Sequence, residues 1–293
     1  MRNRFVAVLL IWGIVFVACG GDPDTFTEVG GGESFPEGSF AVPSSGDLSV
    51  GEERLLVGVS LADNTRLGSP GDDVTFTISP EGAPDEARVV PATYVWILEP
   101  VVGLYRANVE FDRPGIWQVV VTPAGADPLE PALFNVFEES FAPKPGEPAP
   151  LPDTPTLDDM PIEELTTDGD PDPSFYQTSL PDAVASGDPT VLVFSTPAYC
   201  QTSACGPLLD IVKDAAPGYP DVNFIHVEVF TGLTDPDFAP DGAHLAPAVG
   251  PDWYNLPSEP WVFVIDEDGL VSDRFEGVMD SGELADALGK ISL

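Results

Sequence analysis

The spacing of apolar and polar positions changes character along the 293-residue chain. From about 39 to 138, short alternating runs such as YRANVEF and WQVVV are separated by the turn signals SPGDD, SPEGAPDE, FDRPG and TPAGADP. A period of two marks strands with one buried face. These runs predict strands over Phe40–Pro43, Arg54–Leu61, Val74–Ser79, Arg88–Leu98, Leu104–Phe111, Ile116–Thr122 and Ala132–Phe137. Tyr105 and Trp117 are candidate core aromatics. Seven short strands in this span predict an all-β, immunoglobulin-like sandwich.

The pattern breaks over 139–173, where nine prolines fall between Pro143 and Pro173 among Asp, Glu, Thr and Gly. Such a stretch predicts an extended, semi-rigid linker that packs no core. From 174 to 293 strand-like and helix-like periods alternate. SLPDAVASG reads as a short helix, VLVFS as a buried strand, and GPLLDIVKDAA as an amphipathic helix with Pro207 near its start. NFIHVEVF is a second strand, followed by a loop-rich insertion to about Leu256. WVFVID and VSDRFEG are strands around an EDGL turn, and SGELADALGKI is a final helix. The order β-α-β-(α)-β-β-α is mixed α/β.

The N-terminus has a different signature. Residues 1–18 carry Arg2 and Arg4, then an apolar run ending in Ala18, which describes a secretory signal. Phe16-Val17-Ala18-Cys19 resembles the lipobox of bacterial lipoproteins, with Phe where Leu is usual. That resemblance implies lipidation at Cys19 and an exported chain anchored to the cell membrane. Residues 19–38, Gly-rich and acidic, are expected to form a flexible tether. The chain holds 49 acidic against 11 basic residues, net −38, so nucleic acid is excluded as a partner and anionic headgroups would repel the body. Any membrane attachment must therefore come from the lipid.

Setting Cys19 aside leaves two of the three cysteines, Cys200 and Cys205, in VLVFSTPAYCQTSACGP. They lie where a strand gives way to a helix, and the free N–H groups and dipole of a helix N-terminus favour a thiolate. Five residues apart on a helix they would be rotated by about 140°, so a disulfide needs the first turn to be loop-like. Only His226 and His244 are present, and no Cys/His set has zinc spacing. The sequence assigns no metal site and no cofactor. His226, inside FIHVEV, is expected to be a strand residue with a satisfied hydrogen bond.

VLVFSTPAYC resembles the thioredoxin pattern of an apolar strand, a polar-aromatic approach and a cysteine heading a helix, with Tyr199 in place of the usual tryptophan. Ser258-Glu259-Pro260-Trp261-Val262-Phe263 is similar to the thioredoxin cis-proline loop, and Asp268-Gly269 to its following hairpin turn. The resemblance implies an α/β thioredoxin-like C-terminal domain that exchanges protein thiols and disulfides, with Cys200 and Cys205 as the working pair and Glu259 and Pro260 beside them. Phe194 falls where thioredoxins often bury an aspartate. Spacing from the strand favours Cys200 as nucleophile, whereas Ala204-Cys205-Gly206-Pro207 favours Cys205.

GLYRANVEFDRPGIWQVVV resembles the immunoglobulin-like domains of exported bacterial proteins of the YtkA-like kind, which implies a spacer or interaction module. Other expectations stay open for the cysteine pair. A structural disulfide in a binding or scaffold protein is one. A peroxiredoxin-like pair is a second, with Thr196 one position out of register. Copper handling, as in Sco-type proteins, is a third, with the wrong cysteine spacing and only His244 as a further ligand.

Overall fold

The computed structural model describes residues 35–291. The expected signal segment, the expected lipidation site Cys19 and most of the expected tether lie outside the described residues. The tether was expected to run to 38, yet Phe35 already packs its ring against Tyr105, with centroids 6.2 Å apart.

The first body is all β. Its strands are β1 (Phe40–Pro43), β2 (Gly51–Ser60), β3 (Arg66–Leu67), β4 (Val74–Pro80), β5 (Arg88–Leu98), β6 (Val102–Phe111), β7 (Gly115–Pro123) and β8 (Ala132–Val136). Alternation sets the inner face: Tyr105, Ala107, Val109 and Phe111 on β6 and Trp117, Val119 and Val121 on β7 point into one core. Tyr105 and Trp117 are core residues, as expected. The two separate sheets of a sandwich are not seen. The eight strands instead form one nearly closed sheet, ordered β1-β2-β6-β5-β4-β7-β8 with β3 on β2.

The reason is the length of β5. Its residues Arg88–Ala92 pair with β4, and Thr93–Leu98 pair with β6, so a single strand joins the two halves. The far ends also meet, through bonds from Phe137 N to Leu48 O (2.8 Å) and from Val50 N to Phe137 O (3.0 Å). Closure satisfies backbone groups that an open edge would leave unpaired. At the β5–β6 turn Gly103 is required, because a Cβ there would lie 2.3 Å from Val95 O.

The second body is a four-stranded sheet, ordered β10-β9-β11-β12. It comprises β9 (Thr190–Phe194), β10 (Asn223–Val227), β11 (Trp261–Ile265) and β12 (Val271–Glu276), with helices α1 (Ile162–Leu165), α2 (Leu180–Ala185), α3 (Cys205–Ala215) and α4 (Ser281–Ile291). β10 runs parallel to β9, whereas β11 is antiparallel to both β9 and β12. Every residue of β9 and β11 is buried, as a strand covered on both faces requires. Val191, Val193, Val262 and Val264 join α3 and α4 on one face. Leu192, Phe194, Trp261 and Phe263 join Leu180, Ala183 and Tyr254 on the other. No helix among the described residues is long and apolar enough to cross a membrane.

The Pro-rich segment departs from its expected role as a core-free linker. It is extended, as its composition requires, but it is laid onto the second sheet. Ala142 and Ala149 join the core beside Trp261, and Leu165 joins the core under α3. Gly146 N donates to Val271 O (2.8 Å) and Ala149 N to Gly269 O (2.9 Å). Proline lacks a donor, so the residues between prolines supply the pairing.

Polar groups join the two bodies. Arg274 on β12, with a side chain only 8% exposed, pairs with Asp47 (3.1 Å) and Glu53 (3.0 Å), themselves 0% and 5% exposed. Its Nη1 also donates to Ser140 Oγ (2.6 Å) and Ala142 O (3.0 Å). Lys144 adds a second cation at Glu53, 2.9 Å away. Arg54 makes a two-pronged contact with Glu283 of α4, at 2.8 and 2.7 Å. Arg274→Met strands two buried carboxylates, and is expected to destabilise the protein by about 3–5 kcal/mol. Chemical denaturation measures this, and a loss of under about 1 kcal/mol would show that Lys144 and Ser140 alone can hold the carboxylates.

Candidate functional site

β9 ends at Phe194, and Ser195-Thr196-Pro197-Ala198-Tyr199 carry the chain over the end of the sheet to Cys200. Turns at 197–199 and 201–202 flank Cys200, and Ser203 takes a left-handed backbone with φ of 60°. That reversal brings Cys200 back over the start of α3, whose first residue is Cys205. The loop-like first turn that five-residue spacing demands is therefore present, and Pro207 sits within the first turn of α3, where no helical N–H is needed. The cysteines form a disulfide, with Cα atoms 6.0 Å apart. Cys205 is fully buried and Cys200 half-buried. The Cys205 N–H points at Cys200 Sγ, 3.3 Å away, and the Thr202 hydroxyl lies 3.3 Å from the same sulfur.

Glu259 and Pro260 reach the same place from the other end of the sheet. They precede β11, which pairs Trp261 with Phe194, and the Glu259–Pro260 bond is cis. The two sulfurs and a Glu259 carboxylate oxygen all lie within 4.8 Å of one another. Burial pushes the Glu259 carboxyl above its usual range, with Thr196 partly offsetting it. Its Oε2 is buried and has no hydrogen-bond partner. The four residues expected around the cysteine pair thus converge, and Cys19, the fifth expected site residue, lies outside the described residues. Tyr199 leans on Phe238 (5.1 Å between centroids), which meets His244 (5.3 Å), so an aromatic row flanks the loop.

Under the loop lies a buried polar layer of which the sequence reading identified only His226. Its Nδ1 accepts from the Tyr176 hydroxyl (2.6 Å), and its Nε2 faces Ser195 O (3.0 Å), an acceptor, so Nε2 carries the proton. The expected satisfied strand histidine is what is found. Burial lowers its pKa to about 4, so it is neutral near pH 7. Glu228, one residue past β10, was missed. Its Oε1 accepts from Thr167 N (2.5 Å), Thr167 Oγ1 (2.8 Å) and Thr166 Oγ1 (3.2 Å). Burial outweighs those bonds and raises its pKa to about 7.

Thr196 stands against both Glu228 and Glu259. Thr167, from the Pro-rich segment, also accepts from Ala198 N (3.1 Å), which fixes the approach to Cys200. Lys213 on α3 closes the layer on Asp168 (2.7 Å) and Asp210 (2.9 Å). The available signal was one acid inside the apolar run FIHVEVF, where a strand covered on both faces should hold none without a reason.

Glu228 sets a pH signature. In the folded chain it keeps its proton up to about pH 7, whereas the unfolded chain loses it near 4.5, so its ionisation lowers stability as pH rises through that window. Glu228→Gln keeps an acceptor oxygen and removes the titration. It is expected to match the wild type near pH 4 and to exceed it by about 1–3 kcal/mol near pH 8. His226 acts oppositely, costing stability on acidification from 6.5 to about 4, but does so in both proteins and drops out of the difference. Denaturation at several pH values tests this, and a pH-independent difference would refute the assignment.

No protein-family model matches the chain, and no curated protein matches it.

Proposed function

We propose that the protein is an exported, lipid-anchored thioredoxin-like protein whose Cys200–Cys205 pair exchanges electrons with the thiols and disulfides of protein partners at the membrane surface. The observation that carries this reading is the disulfide itself. A half-buried cysteine and a fully buried one meet at a helix start, beside Glu259 and Pro260. A purely structural staple has no need of a partly exposed cysteine or of a carboxylate oxygen left without a hydrogen bond beside it. The strand order β10-β9-β11-β12, with α3 and α4 on one face, supports the thioredoxin-like fold. The lipid anchor rests on the Ala18-Cys19 motif and the signal-like segment before it.

The exposures give the two cysteines different roles. In the reduced protein the Cys200 thiolate attacks a partner disulfide, forming a mixed disulfide and expelling one partner thiolate. Cys205, inaccessible to a protein, then attacks Cys200 Sγ and expels the other. The partner gains two electrons, and the pair returns to its disulfide. Glu259, deprotonated, can take the Cys205 proton as that sulfur becomes a nucleophile. The helix N-terminus, and the Cys205 N–H in particular, stabilises negative charge on Cys200.

With Cys205→Ser the second step is lost and the mixed disulfide persists. The expected result is covalent partner adducts on Cys200 in extracts of the exported compartment, reversed by dithiol and missing in Cys200→Ser. Cys200 should also alkylate after mild reduction, well before Cys205. Absence of adducts, together with a reduction potential below about −300 mV, would mark a structural staple and sink the exchange reading.

A further inference from the structure

Reducing the disulfide leaves three acidic groups, Cys200, Cys205 and Glu259, crowded within 4.8 Å. The basic side chains described in the second body are engaged elsewhere. Lys213 is held by Asp168 and Asp210, Arg274 by Asp47 and Glu53, and His244 by Asp241. His226 is neutral, with Tyr176 and Ser195 as partners. Like charges at this spacing cannot all ionise without a counter-charge. Either protons stay on the site or a cation enters from outside. Glu259 Oε2, buried and without a partner, is an acceptor lacking a donor.

We propose that the reduced Cys200 and Cys205 sulfurs and the Glu259 carboxylate form a three-ligand site for a zinc-class divalent cation, which the disulfide abolishes. The donor set selects the ion. Two thiolates disfavour magnesium and calcium, and a hard carboxylate oxygen favours zinc over the softer cuprous ion. Around a tetrahedral zinc with Zn–S bonds of about 2.3 Å, ligand atoms lie roughly 3.5–3.8 Å apart, inside the span these three already occupy. The sulfurs must move apart from bonding distance, a change that the exposed residues 201–203, between Cys200 and the buried Ala204, must accommodate. Three protein ligands leave the fourth position to water or to the Thr202 hydroxyl.

The balance is simple. A dithiol or phosphine supplies two electrons to the S–S bond, giving two thiols. Zinc then displaces the two thiol protons, and any proton on Glu259, into solvent. The site rests on the proposed function only in requiring that the disulfide open.

The full chain, reduced anaerobically with excess phosphine and desalted, is titrated with Zn²⁺ against a chromophoric chelator. Cd²⁺ in place of Zn²⁺ reports thiolate ligation by its charge-transfer absorption. The reduced wild type should take up one equivalent and the oxidised protein none. Glu259→Gln should bind at least about tenfold more weakly, with both thiols still titratable. Cys200→Ser should lose uptake. A circular-dichroism melt of each variant identifies any that misfolds. X-ray absorption of zinc-loaded wild type needs no variant, and should show two sulfurs with lighter ligands. No stoichiometric uptake by the reduced chain, unchanged affinity in folded Glu259→Gln, or a shell lacking two sulfurs overturns the site. Phosphine opens the bond chemically, so zinc uptake without trapped partners would sink only the exchange reading. Trapped partners without zinc uptake would sink only this site.

Discussion

A guanidinium held out of water is tolerated only when its charge and its donors are all matched. Arg274 meets that condition with groups far apart in sequence: Asp47 and Glu53 from the β body, and Ser140 and Ala142 from the start of the Pro-rich segment. Three parts of the chain are thereby fixed to one side chain on β12. The consequence runs to the cysteines. Arg274 lies over the Trp261 ring, 5.7 Å from its centroid, and is paired in register with Phe263 on β11. β11 begins directly after Glu259 and Pro260. Two residues beyond Arg274, Glu276 accepts from Gly46 N (2.9 Å) and from Ser258 Oγ (2.8 Å), so the loop carrying Glu259 is tied to the β body as well.

The β body also touches the site through apolar groups. Leu56, Val95 and Leu104 pack with Ala204 and Val278 in a small cluster of their own. Ala204 is the residue between the turns that carry Cys200 and the start of α3. A spacer would have no reason to bury side chains against that residue. The contact holds the N-terminal end of α3 still while leaving residues 201–203 exposed. The packing thus divides the pair: Cys205 is buried at the fixed start of α3, and Cys200 sits at the edge of an exposed loop.

Strand positions were legible because alternation survives wherever one face is wet, as in YRANVEF. The two-sided burial of β9 and β11 was legible as continuous apolar runs. The five-residue cysteine step correctly demanded a loop, because helix geometry allows no other way to join the sulfurs. What escaped had no local signature. β3 spans two residues, too few to show a period. Sheet closure depends on where β5 changes partners, a pairing choice no single run encodes. The docking of the Pro-rich segment depends on isolated donors such as Gly146 and Ala149 meeting exposed carbonyls of a distant hairpin. Glu228 was visible only as an anomaly, since its justification, the paired Thr166 and Thr167, lies some 60 residues upstream.

The charge balance explains why the site takes this form. With 11 basic residues against 49 acidic ones, the chain has few cations to spare, and the bodies consume them at their junctions. A thiolate next to a lysine or arginine would be stabilised by that charge. On the proposed exchange reading the backbone takes that part, through the Cys205 N–H and the start of α3. Glu259 works against it, because a charged carboxylate within 4.8 Å raises the cost of every negative sulfur. Burial, by keeping Glu259 protonated to higher pH, relieves that repulsion until a proton is needed elsewhere. On the proposed exchange reading, a neutral Glu259 therefore permits a thiolate beside it, whereas an ionised one disfavours it.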